Sequence, residues 1–420
     1  MRLKALLLLA LLSVPVAAGA QQGAVGSVSE VSTERVARID SLMRRYVDDG
    51  RVAGVVTAIH QHGRVIQRGA WGLADRESGR AMTDATLFRI ASQSKAVTSV
   101  AVMMLVEEGR LRLGDRVSRW VPGFATMNVA VATDSGNRLE PARREITIRD
   151  LLTHSSGLSY GVESLVQDQY AAAGLGPAAG WGWYFADKRE PICASVDRLG
   201  SLPLVAQPGD QWVYGYSSDV LGCVIERVSG TPLDRFLGER IFQPLAMRST
   251  WFYVPRQEAS RLAAVYAAGD SGIVRAPDNA RGQGHYIEGP RVSFSGGAGL
   301  VSTAGDYARF LQMLLNGGEL DGRRVLSPAT VALMTRDHVG DLYDAEGLGF
   351  GLGFQILEDA GTAGVYGADG VFSWGGAYGS TYWVDPKHDM VAVFMIQLLP
   401  SGGLDLGAKF RALAYSALLR

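Results

Sequence analysis

The chain has 420 residues, 41 of them lysine or arginine and 42 aspartate or glutamate, for a net charge of −1. No basic run stands out, which argues against a nucleic-acid partner, and the length suits one large domain or two interleaved ones. The two cysteines and six histidines show no metal-ligand spacing, so no metal or organic cofactor is called for.

Residues 1–20 read as a secretory signal. Arg2 and Lys4 form a basic start, Ala5 to Val16 an apolar run, and Ala18-Gly19-Ala20 a cleavage site. The run is short for a membrane span, and no cysteine follows it to carry a lipid. The expected location is periplasmic or secreted, with residues 21–31 a flexible N-terminus. That compartment permits a disulfide between Cys193 and Cys223, worth roughly 3–4 kcal/mol in the loop-entropy picture. Two buried thiols fit the sequence equally well.

Helical periodicity opens the folded part at Val36, Ile39, Leu42, Met43 and Tyr46. Val52–His60 and Arg64–Trp71 follow as two strands around the turn Gln61-His62-Gly63. Ala91 to Glu108 is apolar around most of its circumference, which predicts a buried helix stopped by Gly109. Residues 110–300 read as an inserted, mainly helical region rich in loops. Within it, Thr147 to Asp150 resembles a capping box, Asp219–Val228 a helix ending at Ser229-Gly230, and Thr231-Pro232 the start of another reaching Phe242. Thr303 to Asp306 begins a further helix. Gly349–Leu357, Ser380–Val384 and Met390–Gln397 read as short strands, and Leu404–Leu419 as a closing helix. Strands thus come from both ends, so one sheet built from residues 32–109 and 301–420 is the economical α/β (α+β) reading. No internal repeat is present.

Lysine is scarce: beyond Lys4 there are Lys95, Lys188, Lys387 and Lys409. Only Lys95 has a serine three positions before it, in Ser92-Gln93-Ser94-Lys95. Positions i and i+3 share a helix face. The helix start favours a developing anion on Ser92. A lysine can give up its proton and act as a base, whereas an arginine cannot.

A second segment, Gln211-Trp212-Val213-Tyr214-Gly215-Tyr216-Ser217-Ser218-Asp219-Val220-Leu221-Gly222, also precedes a helix. Together with Phe88 to Lys95, Leu152 to Leu158, Gly296 to Thr303, and Trp374-Gly375-Gly376-Ala377 leading to Trp383 to Pro386, it resembles the serine β-lactamase and penicillin-binding-protein superfamily. The nearest branch is that of the family VIII-like carboxylesterases with a β-lactamase fold. The resemblance spans roughly residues 33–420. It implies a β-lactamase/transpeptidase-like fold, an antiparallel sheet from both chain ends flanked by helices.

It also implies roles. Ser92 would be the acylated nucleophile, Lys95 its partner and Tyr214 the relay tyrosine, with Tyr216 a competitor for that role and otherwise a pocket residue. The N–H groups of Ser92 and Ala377 would form the oxyanion hole. Trp374 stands where β-lactamases carry a cation; with Gly375 and Gly376 it would wall an apolar pocket. Neither reading of the tyrosine segment supplies the β-lactamases' asparagine. Both departures favour an exported ester hydrolase acting on a small-molecule ester or amide, over a β-lactamase or D-amino-acid peptidase or transpeptidase. A non-catalytic sensor on the same scaffold is the remaining alternative. The oligomeric state has no signature in the sequence.

Gly157-Leu158-Ser159-Tyr160-Gly161 is a literal G-x-S-x-G. No buried strand precedes it, so Ser159 is expected in a loop, not as a nucleophile. His154 is expected to order that loop. The aromatic stretch 160–190, with Tyr160, Tyr170, Trp181, Trp183, Tyr184 and Phe185, reads as a lid, a pocket wall or a plain surface loop.

Overall fold

A computed structural model describes residues 31–134, 136–176, 188–269, 272–279, 282–401 and 403–419. The leader expected over residues 1–20, residues 21–30 of the N-terminus expected to be flexible, and Trp181, Trp183, Tyr184 and Phe185 lie outside the described residues.

Eight strands make the main sheet: β1 (Gly54–Gln61), β2 (Arg64–Asp75), β3 (Arg80–Ala81), β4 (Leu348–Phe350), β5 (Gln355–Leu357), β6 (Phe372–Gly375), β7 (Thr381–Asp385) and β8 (Met390–Met395). Their spatial order is β4-β5-β6-β7-β8-β1-β2-β3, antiparallel throughout. The two ends of the chain meet in the middle, where Val56 lies opposite Met395 and Gln61 opposite Met390.

The helices used below are α1 (Thr33–Asp48), α2 (Ser94–Glu107), α3 (Ile148–Leu152), α4 (Ile192–Leu199), α5 (Ser217–Ser229), α6 (Ala304–Leu315) and α7 (Leu406–Ala417). In β8 the side chains alternate between two cores. Met390, Ala392 and Phe394 join the residues of α1 and α7, such as Ile39, Leu42 and Phe410. Val391, Val393 and Met395 join the larger core that includes Tyr307, Phe310 and Leu311 of α6 and the apolar residues of α2 from Ala96 to Leu105. A strand covered on both faces reads as a continuous apolar run, and each fully buried Val or Phe adds roughly 1.5–3 kcal/mol of hydrophobic stabilisation.

Two expectations need correction. Gly349–Leu357 is not one strand but the hairpin β4–β5: Gly353, at φ +96°, turns the chain where any Cβ would strike Ser99 Oγ at 2.2 Å. The helix expected through Phe242 changes winding, being α-helical over Leu233–Leu237 and π-helical over Gly238–Phe242. The inserted region also holds two antiparallel hairpins, Asn128–Thr133 with Gly136–Pro141 and Tyr266–Gly269 with Gly272–Arg275. The second returns to the sheet side, where Tyr266 N–H donates to the Gln397 carbonyl at 3.0 Å. Cys193 of α4 and Cys223 of α5 are joined as a disulfide.

Candidate active site

The site begins with a short strand pair. Phe88–Arg89 pairs with Val301–Ser302, and Ile90 N–H donates to the Leu300 carbonyl at 3.0 Å. Ala91 then takes φ +44°, a left-handed conformation that a non-glycine residue holds only when its surroundings enforce it. The chain enters a 3₁₀ turn, Ala91–Gln93, before α2 starts at Ser94. Ser92 therefore sits on the tight turn that leads into the helix. Lys95 lies in the first turn of α2, and every residue from Ser94 to Leu105 is buried.

Lys95 is 2% exposed. Its Nζ donates to Ser92 Oγ at 3.2 Å, to the Tyr160 hydroxyl at 3.0 Å and to the Gly297 carbonyl at 2.7 Å. An ammonium has three N–H donors, and all three have acceptors here. Nζ also lies 4.7 Å from the centroid of the Tyr214 ring, a cation–π distance.

The two tyrosines are placed differently. Tyr160 meets the lysine with its hydroxyl. Burial pushes its phenol well above the ordinary range, with the neighbouring Tyr214 and Asp219 adding to the effect. Tyr214 meets the lysine with its ring, and its hydroxyl accepts from Trp374 Nε1 at 3.1 Å. Both line a cavity of about 450 Å³ together with Ser92, Trp374 and Ala377. A larger cavity of about 710 Å³, between Phe242, Trp251 and Phe294, contains none of these groups.

Tyr216 is not in the pocket. It is 1% exposed and its hydroxyl donates to the Leu175 carbonyl at 2.7 Å. Two residues along the chain, at the entry to α5, are enough to turn it to the opposite side from Tyr214. His154 is fully buried at φ +57°, with its ring 4.9 Å from that of Tyr214. Burial, then the charge of Lys95, holds its pKa well below the usual value, so it is neutral. Its carbonyl accepts from the Val213 N–H at 2.7 Å, which orders the segment that carries Tyr214. Ser159 lies in a coil; its hydroxyl donates to Glu163 and accepts from the Gly161 N–H at 2.6 Å.

The strand end beyond Trp374 closes the site. A Cβ on Gly376 would lie 2.5 Å from the Ile90 carbonyl, so a glycine is what lets β6 approach the turn that carries Ser92. Gly376 N–H donates to the Ser380 carbonyl, whereas the Ala377 N–H has no acceptor among the described residues. Gly375 and Ala377 line the cavity; Gly376 is the contact behind them.

Tyr160, expected only within an aromatic lid, pocket wall or surface loop, lies in the cavity wall and touches Lys95; in Gly157 to Gly161 it is the tyrosine, not the serine, that reaches the site. Arg411 was missed as a site residue. It stands in α7, far along the chain from Trp374, yet lines the same cavity, with its Nε donating to the Tyr366 carbonyl at 2.7 Å. Position 374 lacks a cation, but the cavity does not.

The family described as Beta-lactamase matches residues 39–416. Esterase EstB of Burkholderia gladioli is 34% identical over 365 residues, covering 83% of this chain and 87% of that protein. Lovastatin esterase of Penicillium rubens is 32% identical over 408 residues, covering 89% and 96%. Among solved structures, EstCE1, described as a hydrolase with promiscuous acyltransferase activity, superposes with a TM-score of 0.78 at 30% identity, covering 91% of this chain and 99% of that one.

Proposed function

Since this chain belongs to the β-lactamase family and is a serine hydrolase with esterase relatives, we propose that it is an exported esterase that cleaves small carboxylic esters through an acyl-enzyme on Ser92. The observation that carries the reading is the Lys95–Ser92 hydrogen bond opening onto a cavity walled by Tyr214 and Trp374. The basic-apolar start of the sequence and the Cys193–Cys223 bond support export.

With Lys95 in its uncharged form, Ser92 Oγ bonds to the ester carbonyl carbon while its proton passes to the amine. The carbonyl oxygen becomes an anion and accepts from the Ser92 and Ala377 N–H groups. Collapse breaks the bond to the alcohol oxygen, which takes a proton relayed from Lys95 through the Tyr214 hydroxyl. Water then attacks the acyl carbon while its proton passes to Lys95; collapse breaks the bond from that carbon to Ser92 Oγ, which takes the proton from Lys95, and the acid leaves with both groups restored.

Ser92→Ala is expected to lower kcat on p-nitrophenyl butyrate by at least about a thousandfold with an unchanged melting temperature. Wild-type turnover by that variant would overturn the assignment. Arg411 favours a second reading, in which the preferred substrate carries a carboxylate, as β-lactams do. Nitrocefin turnover that falls about tenfold in Arg411→Gln, with p-nitrophenyl butyrate turnover unaffected, would support it.

A further inference from the structure

A buried carboxylate stands behind the lysine. Asp219, in the first turn of α5, is 1% exposed. Its Oδ1 accepts from the Ser295 hydroxyl at 2.5 Å and from the Gly297 N–H at 3.1 Å. The carbonyl of the same Gly297 accepts from Lys95 Nζ at 2.7 Å. One residue thus ties a carboxylate on one helix to an amine on another. It has to be glycine, because a Cβ there would lie 2.5 Å from Asp219 Oδ2.

The loop around Gly297 is fastened on the α2 side as well. Thr98 Oγ1 donates to the Gly296 carbonyl at 2.8 Å, and Leu300 N–H donates to Ser94 Oγ at 3.1 Å. Asp219 Oδ2, in contrast, has no hydrogen-bond partner among the described residues. Burying a carboxylate with an idle oxygen costs folding free energy. Asparagine would accept the same two bonds at less cost. What it would lack is the charge.

The groups facing that charge are Lys95 from α2, Tyr160 from the loop after α3, and Tyr216 just ahead of α5. Both phenols are pushed upward in part by Asp219, and Lys95 supplies the opposite charge. Burial pushes the Asp219 carboxyl up to about 6, against the pull of Ser295 and Lys95, so it is mostly ionised at neutral pH.

We propose that Asp219 is a positioning residue for Lys95: through Gly297 it aims the amine at Ser92, and its charge stabilises the ammonium formed when Lys95 takes the Ser92 proton. This rests on the acyl-enzyme reading above. A lysine that gains a proton inside an apolar core needs a counter-charge that is already in place, and a fixed buried carboxylate supplies it without reorganisation.

The test is Asp219→Asn, followed by kcat, KM and pH profile on p-nitrophenyl butyrate and by the rate of fluorophosphonate labelling. The expected result is a kcat lower by about 10–100-fold with KM within about twofold. The acid limb that ionisation of Asp219 imposes near pH 6 is lost, because asparagine does not titrate. Labelling at Ser92 slows in parallel. Ser295→Ala probes the same idea without touching the carboxylate. With one hydrogen bond fewer the acid keeps its proton to higher pH, so kcat below neutrality falls relative to its alkaline value. Wild-type kcat and profiles in both variants would overturn the proposal, as would an Asp219→Ala variant that alone loses activity through a lower melting temperature. Wild-type protein that is not labelled at Ser92 would strike the acyl-enzyme reading instead.

Discussion

Two tyrosines touch Lys95, one with its hydroxyl and one with its ring face, and the proposed relay gives them different tasks. Tyr160 offers its oxygen to Nζ, and Tyr214 offers its face while its own oxygen stands in the cavity beside Trp374. If Tyr214 delivers the proton to the departing alcohol, its loss matters most when that alcohol is a poor leaving group. Tyr214→Phe is therefore expected to slow ethyl ester hydrolysis about 100-fold and p-nitrophenyl ester hydrolysis far less. Tyr160→Phe acts through Lys95 and should slow both substrates alike; steady-state kinetics on the ester pair separates the cases. Ser92 and Lys95 can be singled out in the sequence because they are near neighbours along the chain, Ser92 in the turn before α2 and Lys95 in its first turn. Tyr160 and Asp219 cannot, because a residue that reaches the site across a loop or from another helix leaves no spacing to read. Tyr216 was misplaced for a related reason: near a helix start, two residues of offset decide which side a ring faces.

At the scale of elements, the segments that read well are those with one dominant period. α1, α2 and the β1–β2 hairpin fall within a few residues of expectation, and the capping box at Thr147 is formed, with Asp150 bonded to the Thr147 N–H at 2.8 Å. The Gly349–Leu357 stretch failed because its apolar run hides a turn at Gly353. The Asn128–Pro141 hairpin failed because its second strand is polar and mostly exposed, with no alternation to give it away. The disulfide adds a covalent tie between elements. It links α4 to α5, the helix whose first turn presents Asp219 and which follows directly on Tyr214. Cys193→Ser combined with Cys223→Ser is expected to lower stability by about 3–4 kcal/mol, read as the shift in a urea unfolding midpoint. Ester turnover of the folded fraction should change little, since neither sulfur lines the cavity.

Over the whole molecule, the sheet built from both ends of the chain was foreseeable from the placement of apolar strands, and its antiparallel order agrees with the family's fold. The division into a sheet part and an inserted helical part is looser than the linear boundaries suggest. α2 lies within the larger core, while Ala264 and Tyr266, from the inserted region, belong to the core under α1 and α7. The candidate site belongs to neither part alone: Ser92 comes from the turn before α2, Tyr160 and Tyr214 from the insertion, and Ala377 from beyond the end of β6. The pairing of Val56 with Met395 carries a consequence for how such a molecule comes into being. During synthesis β1 emerges early and waits, one edge unpaired, until β8 has been made. Non-local pairing of this kind slows folding and prolongs the exposure of apolar edges. Ser92 and Lys95 are likewise made long before Ala377, so on the proposed acyl-enzyme reading a growing chain holds the serine without one of its oxyanion donors. On that reading the serine gains its full set of partners only once β6 and the residues just after it have been made.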